Sequence, residues 1–290
     1  MAASPATIAA PPLAVALGAV LAWAGSQGSA TVAGVPVFAA AVALAFVIQW
    51  AVFVPSYLRR TERYYDLTGS ATYLLVMTGA VLASGATDPR SMLLLALVAV
   101  WASRLGTFLF RRVRAAGRDA RFDELKHSFW GFLTAWTLQG LWVSFTLAAA
   151  LAAVTSVARP PLDAFALGGL AIWLAGFAIE AAADAQKSRF RADPANRGAF
   201  ISTGLWAWSR HPNYFGEIVL WVGVAVIAFP ALSGWQYVTL ISPLFVYVLL
   251  SRISGIPLLE KRADEKWGGR PDYEAYKAAT PVLVPRRPRG

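Results

Sequence analysis

The chain has 290 residues, 57% of them hydrophobic, and a formal net charge of +10 at pH 7. The polar residues of a soluble domain of this length could not cover so much apolar surface, so the composition indicates a multi-spanning membrane protein. There is no cysteine and there are only two histidines, which excludes thiol chemistry and disulfides and argues against a zinc or iron site. The basic residues lie in loops between apolar runs, where membrane orientation explains them better than nucleic-acid binding does.

Apolar runs of about 20 residues predict eight membrane spans. In chain order they lie near residues 7–25, 34–55, 67–85, 91–110, 129–155, 161–185, 214–230 and 236–258. The first contains Pro11 and Pro12 and has no basic leader, so it is interpreted as an anchor or a partial span rather than as a cleaved signal peptide. We therefore expect an all-α polytopic helix bundle with seven or eight transmembrane helices.

The distribution of Lys and Arg predicts the orientation of these spans. Arg90 and Arg159 fall on one side of the membrane, and Arg104 falls inside a span. The other side holds 23 of the 26 basic residues, with 3, 6, 5 and 9 in the loops near 56–66, 111–127 and 186–213 and in the tail from Arg252. We expect both termini to be cytoplasmic.

The chain has no internal repeat and no separate soluble domain, and neither GxGxxG after a strand nor GxxxxGK[ST] occurs. A cofactor would therefore be held by the membrane helices and a cavity on their cytoplasmic side. We divide the chain into N-terminal anchor helices at 1–50 and one membrane domain at 51–290, which would hold such a cofactor.

Charged side chains at the end of the sixth span suggest a ligand site. Glu180 and Asp184 are four residues apart, which stacks both carboxylates on one helical face, and Lys187 and Arg191 continue the same stripe. One interpretation is a snorkelling helix end with local ion pairs. The other is a polar wall for a ligand that carries hydroxyls and phosphates.

Arg104 lies in the fourth span, where a guanidinium is costly unless an anion or carbonyls receive it; Glu180 and Glu217 are candidate partners. The basic helix end that follows Arg104 could by itself be a topology signal. The cations that together could hold a diphosphate are Arg104, Arg111, Arg112, Arg114, Arg118, Arg191, Arg210 and Arg252.

Asp66 lies beside Tyr64 and Tyr65 at the start of the third span. An interfacial tyrosine pair is ordinary. A carboxyl at the edge of an apolar span can instead stay protonated through desolvation, and it can then donate a hydrogen bond.

Four segments carry a family resemblance. ADAQKSRFRADPANRGAFISTGLWAWSRHPNYFGE at 183–217 closely resembles DUF1295, a family of uncharacterised membrane proteins grouped with the steroid 5-alpha-reductase C-terminal domain. YYDLTGS at 64–70, WASRLGTFLFRR at 101–112 and EKRADEKWGGRPDYEAYKAATPVLVP at 260–285 fit the same family. The resemblance covers nearly everything after about residue 50.

The resemblance implies a membrane-embedded reductase that passes a hydride from NADPH to a lipid enone, such as a steroid-like 3-oxo-4-ene. Asn213 and Glu217 match the family's N-x-x-G-E cofactor motif, and Asp184 and Arg191 match an aspartate and an arginine that contact the cofactor. The resemblance also places Arg104, Arg112 or Arg114, and Arg252 in the cofactor site, with Glu180 at the position of a family asparagine. To these we add residues from the charged stripe and from the 204–217 segment, namely Lys187, Arg210, His211 and Tyr214. His211 is expected to shape the loop or to touch the cofactor.

The chain departs from the steroid reductases at three positions. Their Gln-Glu pair becomes Tyr65 and Asp66, their catalytic tyrosine falls near Trp101, and Glu180 stands where a cofactor-binding asparagine would be. Tyr65 and protonated Asp66 are then expected to stabilise the enolate by hydrogen bonds. The expected substrate shifts from a 3-oxo-4-ene steroid to another enone or a similarly polarised double bond.

Two alternatives remain. RHPNY with the tail from Glu260 to Tyr276 is also similar to isoprenylcysteine carboxyl methyltransferases, which bind S-adenosylmethionine. That ligand has no phosphates, so the arginines at 104–114 and the acidic pair favour NADPH. A non-catalytic lipid-binding or transport protein would predict paired broken helices in two halves, which the sequence does not show. The expected partners are a lipid or steroid-like substrate and the bilayer, with no nucleic acid, metal or obligate protein partner.

Overall fold

The computed structural model describes residues 4–116 and 119–288. It is 78% helical, which confirms the all-α prediction. The helices are α1 (Pro5–Gly25), α2 (Val37–Leu58), α3 (Tyr65–Ser84), α4 (Pro89–Ala116), α5 (Phe129–Thr155), α6 (Ala164–Ala192), α7 (Pro212–Ala228), α8 (Ser242–Val248), α9 (Ile256–Trp267) and α10 (Pro271–Ala279). Between α1 and α2, β1 (Thr31–Val32) and β2 (Val35–Pro36) form a short antiparallel hairpin.

Eight segments of the described chain are long and apolar enough to cross a membrane, which confirms a multi-pass integral membrane protein. They are Pro5–Gly25, Val37–Leu58, Tyr65–Ser84, Pro89–Arg111, Phe129–Thr155, Ala164–Ala192, Pro212–Ala231 and Gly234–Trp267. The first is one helix that includes Pro11 and Pro12.

The sixth span was placed at 161–185, with its helix continuing through Lys187 and Arg191, and α6 does continue to Ala192. The eighth span differs from its predicted form, because it is not one regular helix. It consists of a 3₁₀ helix at Gly234–Ile241, α8, a π-helical turn at Leu249–Ile253 and then α9.

The chain divides into two compact units. The first contains Met1–Ala166 and Ile227–Ser242, and the second contains Leu167–Val226 and Pro243–Gly290. The first unit therefore includes α1 and α2 together with α3, α4 and α5, whereas the sequence-based division separates the anchor helices at residue 50.

Buried polar side chains connect the helices of the first unit. Gln49 on α2 donates from Nε2 to Thr72 Oγ1 on α3 at 2.8 Å, and Trp50 donates from Nε1 to Thr137 Oγ1 on α5 at 3.0 Å. Such bonds satisfy polar groups that lipid could not solvate, and they set the register of helices that are otherwise apolar.

Arg90 joins three helix ends in the same unit, although only 2% of it is exposed. It donates hydrogen bonds of 2.6 Å to the carbonyls of Pro161, before α6, and Ile227, in the last turn of α7, and it lies 2.9 Å from Asp163. Carbonyls at a helix end have no hydrogen-bond donor within the helix, so the Arg90 guanidinium stabilises the fold by supplying one.

Candidate functional site

Helices α6 and α7 of the second unit touch through their backbones. A Cβ added to Gly216 would lie 2.6 Å from the backbone nitrogen of Glu180, and one added to Gly176 would lie 2.5 Å from that of Leu220. Small residues allow this approach, as is common where membrane helices cross. The crossing places the polar end of α6 against the first turns of α7.

A hydrogen bond joins the two helices one turn beyond this crossing. Asn213 Nδ2 donates to Asp184 Oδ1 at 3.2 Å. Asp184 is buried, and so are Glu180 on α6 and Glu217 on α7. The structure thus brings together four of the predicted cofactor residues on two touching helices, and their acidic groups are withdrawn from solvent.

The turn that precedes α7 is attached to the outer part of α6. Lys187 Nζ lies 4.3 Å from the centre of the Trp206 ring, whose Nε1 donates to the Ala183 carbonyl at 3.1 Å. Gln186 accepts a hydrogen bond from the backbone of Leu205 at 2.9 Å. Gly204 is required here because its φ is +62° and a Cβ would lie 2.7 Å from the Gln186 side chain.

His211 and Arg210 share one acidic partner. His211 Nε2 lies 2.7 Å from Glu260 Oε1, and Arg210 Nη1 lies 2.9 Å from Glu260 Oε2. Burial lowers the pKa of His211, although the neighbouring Glu260 acts in the opposite direction. The His211 ring also stacks on Tyr214, with 5.7 Å between centroids. A carboxylate and an aromatic ring thus hold the His211 ring, and both roles predicted for it stay predictions.

Glu260 was not among the predicted site residues. It lies on α9, 49 residues from His211, within a run of charged residues that resembles an exposed tail. A sequence signal existed only indirectly, because a buried Arg-His pair needs an acidic partner.

The segment that follows α9 is bound along the same turn. Tyr276 donates from its hydroxyl to the Trp206 carbonyl at 2.7 Å, and the Arg210 backbone nitrogen donates to the Pro281 carbonyl at 2.9 Å. The Arg286 backbone nitrogen donates to the Trp208 carbonyl at 3.0 Å. These bonds satisfy backbone groups of a turn that has little regular structure of its own.

The other predicted cations are more exposed. Arg191 and Arg114 are exposed at the ends of α6 and α4, and Arg104 is half-buried on α4. Arg252 is exposed on the π-helical turn. The Arg112 side chain and the whole of Arg118 lie outside the described residues.

The predicted catalytic residues lie in the first unit. The Tyr65 hydroxyl donates to the Ala135 carbonyl at 2.9 Å, and its ring packs on Trp136 at 5.1 Å between centroids. Asp66 accepts hydrogen bonds from Arg121 at 3.2 and 3.3 Å. Trp101 is buried, with its ring 5.0 Å from that of Tyr73.

These surroundings bear on the roles expected for Tyr65 and Asp66. The Tyr65 hydroxyl would have to exchange one acceptor for another to stabilise an enolate. Asp66 faces an arginine, which is the setting of an acceptor, whereas the expected role requires a donor. Both roles stay predictions.

A cavity of about 330 Å³ lies beyond the end of α6 in the second unit. Four cations line it, Lys187, Arg191, Arg197 and Lys266, of which only the first two were predicted as site residues.

In the part of the chain that the structure describes, no group of three or more His, Cys, Asp or Glu side chains could hold a metal ion.

The comparisons with known proteins concern the family alone. A family model described as "Protein of unknown function (DUF1295)" matches residues 52–280. The comparison with curated proteins finds no match. Because the match extends over most of the chain, from the end of α2 to the segment after α10, this protein belongs to the DUF1295 family.

Proposed function

We propose that this protein is a membrane-embedded, NADPH-dependent reductase that acts on a lipid enone or a similarly polarised double bond. The observation that carries the proposal is the hydrogen-bonded Asp184–Asn213 pair, in which the carboxylate is buried and the amide half-buried, flanked by the buried Glu180 and Glu217. Carboxylates and an amide so placed on two touching helices are the groups that hold ribose hydroxyls and a carboxamide.

The cations at the end of α6 would bind the phosphates of the dinucleotide. Lys187 and Arg191 follow Asp184 on the same helix, and a dinucleotide needs cations for its phosphates close to acceptors for its sugars. S-adenosylmethionine carries hydroxyls but no phosphate, so it would leave these cations unused. The carboxylates, the amide and the cations together therefore fit NADPH better than S-adenosylmethionine.

When bound, NADPH supplies a hydride to the carbon β to a carbonyl. The electrons of the double bond would shift to the carbonyl oxygen as an enolate, and the α carbon would take a proton from solvent to give the saturated ketone. We assign the stabilisation of the oxygen charge to hydrogen bonds donated by Tyr65 and by protonated Asp66, which for this purpose has to exchange its contact with Arg121 at 3.2 Å for the substrate oxygen. The cofactor side is proposed to face the cytoplasm, together with both termini.

The binding test is thermal unfolding of the purified protein in detergent. NADPH at 100 times its dissociation constant should stabilise the protein by about 2.7 kcal/mol, and S-adenosylmethionine should not. Asp184→Asn should weaken NADPH binding about tenfold, because it removes a charged acceptor. Asp193→Asn is the matched control, since this exposed residue only caps a short turn. Stabilisation by S-adenosylmethionine alone would contradict the proposal.

The catalytic assignment has its own test. Asp66→Asn should abolish enone reduction and leave NADPH binding unchanged. Full activity of this variant on a verified substrate would remove Asp66 from the mechanism but would leave the cofactor assignment intact.

A further inference from the structure

The cavity beyond α6 concentrates positive charge. Lys187, Arg191, Arg197 and Lys266 line it, and none of the described residues that line it is acidic. Within residues 4–116 and 119–288, Arg197 and Lys266 make no ion pair. Cations that share one concave surface repel each other, and a bound anion would relieve this repulsion.

Specific contacts hold the wall of the cavity in place. Trp267 donates from Nε1 to the Gly198 carbonyl at 2.7 Å, which attaches the loop after α6 to the end of α9. Gly198 has φ +83°, a conformation that a residue with a Cβ rarely adopts. Phe200 packs on Trp267, with 5.9 Å between ring centroids.

The same tryptophan positions one of the cations. Lys266 Nζ lies 4.6 Å from the centre of the Trp267 ring, so an aromatic face rather than a carboxylate holds the ammonium. A cation held in this way keeps its hydrogen-bond donors for a ligand.

We propose that this cavity binds a phosphomonoester group of a small organic molecule, with Arg197 and Lys266 among its ligands. A phosphomonoester carries a charge of about −1.5 to −2 at pH 7, and its oxygens match the two-pronged guanidinium. A volume of about 330 Å³ is at the lower end of small-ligand pockets, so a phosphate and an adjoining ribose or glycerol fit. Phe200 and Trp267 supply an apolar wall for that adjoining group.

Two sources share this chemistry. One is the 2′-phosphate of NADPH, and this version rests on the proposed function. The other is the headgroup of a phosphatidate-type lipid, since basic pockets of membrane proteins attract anionic headgroups. Either source would bring a terminal phosphate to Arg197 and Lys266.

The experiment measures the thermal unfolding midpoint of the full chain in detergent. The probes are adenosine 2′,5′-bisphosphate against adenosine, and short-chain phosphatidate against phosphatidylcholine. We expect a saturable rise in the midpoint with at least one phosphomonoester. Arg197→Gln and Lys266→Gln should each raise its half-saturating concentration about tenfold. Arg189→Gln, an equal loss of charge at an exposed site on α6 outside the cavity, should leave it unchanged.

The outcomes separate this proposal from the reductase proposal. A response to phosphatidate that Arg197→Gln weakens, with no response to NADPH or NADH, would support the cavity and remove the reductase. NADPH binding that is equal in wild type and Arg197→Gln, with no response to either phosphomonoester, would overturn the cavity and leave the reductase standing. An equal rise of the half-saturating concentration in Arg189→Gln would also overturn the cavity proposal, because the loss of charge alone would then explain the weaker binding.

Discussion

Arg90 and Arg197 represent two opposite uses of arginine in this chain. Arg90 is 2% exposed and is satisfied by carbonyls and Asp163, so it offers nothing to a ligand. Arg197 is exposed, lines a cavity, and makes no ion pair with another described residue. The comparison teaches that a structural arginine is buried with its donors satisfied inside the fold, whereas an arginine available to a ligand is exposed and makes no ion pair.

The largest effect is expected on the structural side. Arg90→Leu removes charged hydrogen bonds to three carbonyls and should lower the free energy of unfolding by about 3 kcal/mol or more. Thermal unfolding in detergent measures it, and ligand-induced stabilisation should persist. Arg159→Leu is the control, because Arg159 is more exposed and its contacts with carbonyls and with Asp88 are longer, at 3.1–3.5 Å, so its loss should cost less. If Arg90→Leu were as stable as the wild type, Arg90 would not be a structural cation.

The second effect concerns the helices that carry the acidic groups. Gly216→Ala places a Cβ 2.6 Å from the Glu180 backbone nitrogen, and such overpacking typically costs about 1–3 kcal/mol. It should also weaken NADPH binding by separating α6 from α7. Gly168→Ala, on the exposed side of α6, meets nothing within 4 Å and should not destabilise. Similar losses in both variants would mean that the close crossing is not what supports the site.

A smaller effect depends on pH. Burial lowers the pKa of His211 below its ordinary value of 6.5, while Glu260 opposes this shift and Lys187 and Arg210 add to it. The unfolded chain therefore takes up a proton first, so stability is retained above about pH 6.5 and is lost as the pH falls below it. His211→Gln should flatten the dependence of the unfolding midpoint between pH 7 and 5.5.

Exposed His127 provides the control for this pH effect. His127→Gln should keep the decline in the unfolding midpoint at acid pH. A decline that survives in His211→Gln would assign the effect to another group.

The smallest expected change is also the sharpest test of the comparison. Arg197→Gln should alter the free energy of unfolding by no more than about 0.5 kcal/mol, as is usual for an exposed side chain without a partner. The same substitution should nevertheless raise the half-saturating concentration of the phosphomonoester clearly. A large loss of stability would place Arg197 with Arg90, as a structural cation.

The membrane fold could be predicted well because its physical signal is strong. A bilayer requires runs of about 20 apolar residues, and all eight predicted runs correspond to candidate spans. The segmented last span could not be predicted, since 3₁₀, α and π turns have the same hydropathy. The continuation of α6 to Ala192 could be predicted from the spacing of Asp184, Lys187 and Arg191 on one helical face, although hydropathy alone ends the span near residue 185.

The site was predictable residue by residue but not as contacts. Asp184 and Asn213 were both expected, yet their hydrogen bond depends on how α6 crosses α7 at Gly216. Glu260 and the cavity were missed because their partners come from distant parts of the chain. Tertiary packing, which no local pattern records, brings Arg197 and Lys266 to one surface.

The segment after α10 has a consequence for proteolysis. Its backbone and Tyr276 complete the hydrogen bonds of the turn at 206–210, so opening the turn also releases the segment. Trypsin cleaves after Arg and Lys unless proline follows, and the Arg286–Arg287 bond, within this released part, meets that condition. Cleavage after Arg286 therefore reports how often the turn opens, and a ligand that holds the turn closed would slow this cleavage without needing to touch the segment.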